Sequence, residues 1–283
     1  MSRNPYVAMP MRIDRIRIEN DAKDLKTFRL SFCNKSDESD FRYVCGQFAM
    51  LSLPGTGECP VGIASSPFDK GVLEFTVKRY ASGVVTTALH DLSEGDGFGV
   101  RGPMGNGFPF QDLKGKNLLI VGGGFAFTTL RSTITYLLDP SVRGDYKNIT
   151  VIYGARGPGE LLYKAELAQW QQRSDIKTHI TVDKGSEGWT GRVGLVPNVV
   201  KEAAPSAVDS YCIVCGPPIM LKFTLPPLLD LGFTPDKILT SLERKMTCGI
   251  GKCGRCNIGK YYVCKDGPVF SYDKIKDIPE NGF

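Results

Sequence analysis

The chain has 283 residues, of which 42% are apolar and 23% charged, with a formal net charge of +5. That length suffices for two compact domains and a small extra lobe. So mild a charge, with no block of Lys and Arg interleaved with aromatics, argues against a nucleic-acid surface, and the presence of only two histidines, His90 and His179, argues against a His-dependent hydrolytic site.

Residues 12–19 and 27–32 alternate apolar and polar with period two, the mark of half-buried strands. Residues 19–24 between them read as a turn, and 34–40 as a solvated loop. Residues 47–54 form a further strand ended by Pro54 and Gly55, and 72–79 another. Short strands divided by turn residues predict an antiparallel β-barrel, interrupted by one short helix at 84–91 behind Gly83. Two stretches of it invite a ligand. Residues 58–67 contain Cys59, Pro60, Val61, Gly62 and Ile63. Residues 77–86 run from a strand into a glycine turn and a helix start, where Arg79, free backbone amides and the Thr86 hydroxyl can hold a diphosphate. As plain structure, the same stretches are hairpins and a helix cap.

The pattern changes near Lys114. Apolar strands at 117–121, 149–154, 178–183, 210–216 and 237–242 alternate with helices at 128–138, 161–171, 193–202 and 218–231. That alternation predicts an α/β doubly wound parallel sheet. Gly122, Gly123 and Gly124 end its first strand ahead of a helix, where a pyrophosphate can approach the backbone and meet helix N–H groups. A tight strand–helix turn is the plainer reading of those glycines. Cys215, Gly216 and Pro217 make a second such turn at the same sheet edge. Arg156 and Asp183 end two other strands there; one can meet a phosphate and the other a ribose hydroxyl, or both are solvated charges.

The last segment holds Cys248, Cys253, Cys256 and Cys264, spaced C-x4-C-x2-C-x7-C. Four thiolates at that spacing match plant-type [2Fe–2S] ligation. Gly249, Gly251 and Gly254 let the backbone turn N–H groups towards the sulfurs, and Lys252 and Arg255 put positive charge beside an anionic cluster. Zinc, which prefers two well-separated cysteine pairs, and disulfides are the alternatives. Cys33, Cys45, Cys59, Cys212 and Cys215 fall at no framework spacing and read as free thiols of a reducing compartment. Residues 1–6 show no apolar targeting segment, and no run approaches the roughly eighteen apolar residues of a membrane span, so the expectation is a cytoplasmic protein. The lobe has few residues to bury it, and a partner chain is expected to cover it.

A barrel, a nucleotide-type sheet and a four-cysteine lobe in this order resemble the ferredoxin–NADP reductase superfamily. The likeness is closest to its branch with a C-terminal [2Fe–2S] cluster, which includes the gamma subunit of sulfhydrogenases, one of the subunits of anaerobic sulfite reductase and the electron-transfer subunit of dihydroorotate dehydrogenase. The residues that carry it are 242–256 and 262–272, with support from 101–108, 188–194 and 215–220. The resemblance implies an FAD-binding barrel at 1–113, an NAD(P)-binding-type α/β domain at 114–243 and a cluster lobe at 244–283. It implies FAD on residues 59–63, with Gly62 where relatives carry serine, and ribityl and diphosphate contacts at Val77, Lys78, Arg79, Val85 and Thr86. In the nucleotide turn, Ala126, Phe127 and Thr129 replace the usual glycine, variable residue and proline. The implied activity is electron transfer between NAD(P)H and a redox partner chain, through FAD and the cluster. A relay or assembly subunit with a degenerate nucleotide site, or a zinc-stabilised structural subunit, are the rival classes.

Overall fold

The computed structural model describes residues 4–279; residues 1–3 of the expected barrel domain and 280–283 of the expected cluster lobe lie outside the described residues. Strands β1 (Met9–Ile18), β2 (Leu25–Phe32), β3 (Phe48–Leu53), β4 (Gly57–Gly62), β5 (Val72–Lys78) and β6 (Gly97–Met104) form one antiparallel sheet in the order β4-β3-β6-β1-β2-β5. It curls until its outer strands meet: just past β4, the Ala64 N–H donates to the Glu74 carbonyl of β5 at 2.8 Å. Alternation sends Met9, Met11 and Ile13 inward to pack with Phe28, Leu30, Phe75 and Val100. Helix α2 (Val84–His90) closes one end, and the buried His90 ring hydrogen-bonds the Val77 carbonyl at 2.9 Å.

Three local expectations change. Residues 34–40 are not loop throughout: α1 (Lys35–Asp40) forms one and a half turns with no buried residue, its N-terminus favoured by Asp37 and Glu38. β4 escapes the sequence pattern because it holds Pro60, which is tolerated on an edge strand, and β4 is that edge. β6 escapes it because glycines dilute its strand propensity.

After α3 (Phe110–Leu113) the second sheet follows. It is built from β7 (Asn117–Gly123), β8 (Ile149–Ala155), β9 (Ile176–Val182), β10 (Arg192–Val193), β11 (Ser210–Cys215) and β12 (Ile238–Ser241), all parallel. The order β10-β9-β8-β7-β11-β12 puts the topological switch between β7 and β11. Ligands of open α/β sheets bind at the carboxyl ends of the strands at such a switch. Helices α4 (Phe127–Leu137) and α5 (Lys164–Gln172) pack on one face, α6 (Val196–Ala203) and α7 (Pro218–Asp230) on the other. Among the described residues no helix is long and apolar enough to cross a membrane.

The residues after β12 pack back onto the rest of the chain. A short hairpin, β13 (Asn257–Ile258) and β14 (Tyr261–Tyr262), leads through α8 (Val263–Asp266) to β15 (Val269–Ser271), before α9 (Tyr272–Ile275). β15 adds an antiparallel seventh strand beside β12. The lobe's Cys256, Ile258, Val263, Cys264 and Phe270 pack with Phe48, Met50 and Met104 of the barrel. The expectation of a poorly buried lobe is corrected in part: β12 and the barrel cover its inner side, while Lys252, Cys253 and Arg255 of the cysteine loop stay exposed.

Candidate functional site

One cavity is walled by all three parts of the chain. Cys59, Pro60, Val61, Gly62, Val77, Lys78, Tyr80 and Thr86 line it from the barrel. Phe125, Thr128 and Thr129 face it from the sheet, and Glu243, Arg244, Met246 and Pro268 from the stretch leading into and through the lobe. The remaining residues expected at the flavin stand behind or outside it. Ile63 is buried in the barrel core, and Val85 packs with that core. Arg79 is exposed, its own N–H donating to the Asp24 carbonyl at 2.8 Å. A Cβ added at Gly62 would lie 3.1 Å from the Thr129 hydroxyl, so Thr129 brings a hydroxyl to the place where relatives are expected to hold a serine. Tyr80, Phe125, Thr128, Thr129, Glu243 and Met246 were not singled out as site residues from the sequence, because they reach the cavity from separate elements. The Glu243 carboxyl is crowded by protein atoms on the cavity wall, which raises its pKa, although the residue as a whole stays open to solvent.

Of the expected nucleotide residues, Gly122, Gly123, Gly124, Cys215, Gly216 and Pro217 gather at the switch between β7 and β11, while Arg156 and Asp183 follow β8 and β9. Gly122 is covered by Phe127 and Leu130, and Gly123 by Met220; Gly124, at φ +53, has open space where a side chain would be. Phe127 does not intrude: it is fully buried, stacked on Tyr153 with centroids 3.8 Å apart. Residues 124–126 tighten into a 3-10 turn before α4 begins. Cys215 is buried, and burial pushes its thiol up to about 12; Gly216 lies against Met220, and Pro217 is exposed. Arg156 and Asp183 are both exposed at neighbouring strand ends. Partial burial raises the Asp183 pKa while Arg156 opposes the rise.

The cysteine loop is folded for a cluster. Gly249, Gly251 and Gly254 have φ of +73°, +74° and +72°, a region glycine enters without strain. These turns aim backbone donors at sulfur. Ile250, Lys252 and Cys253 N–H groups donate to Cys248 Sγ at 3.5, 3.3 and 3.4 Å, and Gly251 N–H to Cys264 Sγ at 3.0 Å. Burial opposes ionisation of Cys248, but those backbone donors and the Cys253 thiol overcome it and lower its pKa to about 6. Burial, reinforced by the Cys256 thiol, pushes Cys264 up to about 12. The Cys264 N–H also donates to Cys256 Sγ at 3.5 Å, and backbone hydrogen bonds to sulfur are among the groups that tune such clusters. The donor set fits [2Fe–2S].

Comparison with known proteins agrees with this geometry. The oxidoreductase FAD-binding domain matches residues 16–108, the oxidoreductase NAD-binding domain 120–225, and the iron–sulfur cluster binding domain of dihydroorotate dehydrogenase B 243–276. The sulfhydrogenase 1 gamma subunit of Pyrococcus furiosus is 36% identical over 98% of this chain and 94% of its own. The chain belongs to the iron–sulfur branch of the ferredoxin–NADP reductase superfamily. Another similar member of this branch is the probable dihydroorotate dehydrogenase B electron transfer subunit of Thermococcus kodakarensis, 37% identical over 90% of this chain and 93% of its own. The superfamily fold itself is shared with a ferredoxin NADP+ reductase from Neisseria gonorrhoeae, solved with FAD and NADP. The TM-score there is 0.68, with 19% identity over 84% of this chain and 98% of that one.

In this member of the superfamily the barrel and the sheet are joined by a buried ionic knot. Arg131 of α4 meets Glu74 of β5 at 2.6 Å, forks onto Glu166 of α5 at 2.7 Å, and donates to the Ala64 carbonyl at 2.9 Å. Its neighbour Ser132 donates to the Ser65 carbonyl at 2.6 Å. Ala64 and Ser65 directly follow the 59–63 segment, so the helix behind the glycine turn is tied to the barrel's wall of the cavity.

Proposed function

We propose that the chain is an electron-transfer subunit that passes electrons between NAD(P)H and a partner redox subunit through FAD and a [2Fe–2S] cluster. One observation carries this reading: residues 59–62 of the barrel, Phe125 and Thr129 behind the glycine turn, and Met246 and Pro268 beside the cluster loop face the same cavity. FAD, when bound, supplies the conversion between a two-electron hydride and single electrons. The protein contributes placement. We assign FAD to Cys59, Pro60, Val61, Gly62, Ile63, Val77, Lys78, Arg79, Val85 and Thr86. NAD(P)H goes to Gly122, Gly123, Gly124, Arg156, Asp183, Cys215, Gly216 and Pro217, and the cluster to Cys248, Cys253, Cys256 and Cys264. The division at 113/114 and 243/244 follows these assignments. The partner is the catalytic or electron-accepting subunit of a hetero-oligomeric complex. The compartment is the cytoplasm, in support of which none of the nine cysteines, all among the described residues, is joined in a disulfide.

One feature favours a relay without a working nucleotide site: the Met220 side chain covers both Gly123 and Gly216, where a diphosphate would approach. A spectrum of anaerobically purified protein, followed by NADH or NADPH, separates the readings. Flavin bands, sulfur-to-iron charge transfer and bleaching by nucleotide are expected. Bleaching by dithionite but not by nucleotide, with the partner present, leaves only the relay. A colourless zinc protein refutes both.

A further inference from the structure

The end of β6 and the loop after it grip both arms of the cluster lobe. Arg101 is only 4% exposed although it is charged. Its fork holds Glu58, with Nη2–Oε2 at 2.6 Å and Nε–Oε1 at 3.0 Å, and its Nη1 donates to the carbonyl oxygens of Pro5 at 2.9 Å and Cys248 at 3.0 Å. Glu58 adjoins the cavity residue Cys59, and Cys248 is a cysteine of the cluster loop. Asn106 takes the other arm: its amide donates to the Val269 carbonyl at 2.9 Å and accepts from the Val269 N–H at 2.9 Å. A buried guanidinium is tolerated only when it is paired and hydrogen-bonded. Here the partners that satisfy it lie on the flavin wall at one end and on the cluster loop at the other.

We infer that Arg101 is a positioning residue for the cluster, an inference that rests on the [2Fe–2S] reading of the four cysteines. It holds the Cys248 arm at a set place against the cavity wall, and its charge sets the cluster's reduction potential. Potentials of such clusters follow local charge, hydrogen bonding and exposure, and groups that hold a ligand from behind weigh on metal retention. A positive charge favours the reduced, more negative cluster and raises its potential; Glu58 opposes that effect.

The test is an EPR-monitored redox titration of the FAD- and cluster-loaded protein, reduced with dithionite so that no nucleotide site is needed. A second measurement is cluster release to an iron chelator. In Arg101→Gln, flavin stays bound, the potential moves negative and release speeds roughly 10- to 100-fold. Arg101→Lys restores the charge but not the planar fork, so the potential returns towards the parent value while release stays fast. Glu58→Gln keeps the guanidinium without its counter-charge and moves the potential positive; this variant carries the test if Arg101→Gln does not fold. A potential unmoved by Arg101→Gln, or one moved in the same direction by the Arg101 and Glu58 variants, overturns the inference alone. A parent protein without a [2Fe–2S] signal overturns the cluster reading and the inference with it.

Discussion

Replacing Arg131 by Met tests the joint between barrel and sheet. Glu74 is 3% exposed and rests on Arg131 at 2.6 Å and Arg17 at 3.2 Å. Burial opposes its ionisation, but the guanidinium groups of Arg131 and Arg17 overcome it and hold its pKa below the ordinary value. The variant leaves this carboxylate to Arg17 and to Arg29 at 3.6 Å, and leaves the Ala64 carbonyl without its donor. Breaking a buried pair by removing one partner costs about 3–5 kcal/mol. Because Arg17 remains, the expected loss is at the low end, about 3 kcal/mol at neutral pH. The pH dependence has a definite sign. A carboxylate with a depressed folded pKa contributes stability above its unfolded value and loses it as pH falls through the folded value. The variant relaxes that depression, so the difference between the two proteins narrows as pH drops below the ordinary glutamate value of 4.5. The assay is urea denaturation of the FAD-loaded protein at neutral and at stepwise acidic pH, followed by far-UV circular dichroism and by flavin release. A loss under about 1 kcal/mol at neutral pH, the worth of a surface pair, or a difference that does not change with acid, refutes the reasoning.

Three further outcomes are expected. Serine in place of Cys248, Cys253, Cys256 or Cys264 abolishes or strongly weakens the [2Fe–2S] spectrum and leaves FAD bound, whereas Cys212→Ser and Cys215→Ser keep the cluster; equal loss from the latter pair contradicts the ligand set. Arg79→Ala weakens FAD binding by roughly 1.5–3 kcal/mol, the worth of a charge-assisted bond, read by flavin retention on dilution; unchanged retention moves the diphosphate elsewhere on the barrel. Ala126→Gly tightens NAD(P)H binding, titrated against flavin absorbance, since the methyl narrows approach to the turn; wild-type binding as tight as the variant's removes the steric argument, and Phe127, being buried, contributes nothing to it.

Much of this protein was legible as local pattern. Period-two alternation at 12–19 and 27–32, apolar runs ahead of glycine turns, and the spacing of Cys248, Cys253, Cys256 and Cys264 each depend on near neighbours in the chain, and so they survive in a linear reading. Those signals determined the two sheet types, their order and the cluster loop. The tertiary structure decided what depends on distant residues meeting. β4 and β6 exist because neighbouring strands accept their prolines and glycines. The inner side of the lobe is buried because β15 finds the free edge of β12 and Met50 and Met104 come across from the barrel. Phe127 turns inward because Tyr153, on the next strand, offers it a ring to stack on. Arg101 and Arg131 look like ordinary surface cations in sequence. Only the fold brings Glu58 and the Pro5 and Cys248 carbonyls to Arg101, and Glu74, Glu166 and the Ala64 carbonyl to Arg131; burial then makes those partners obligatory, because an unpaired charge in the interior costs several kcal/mol.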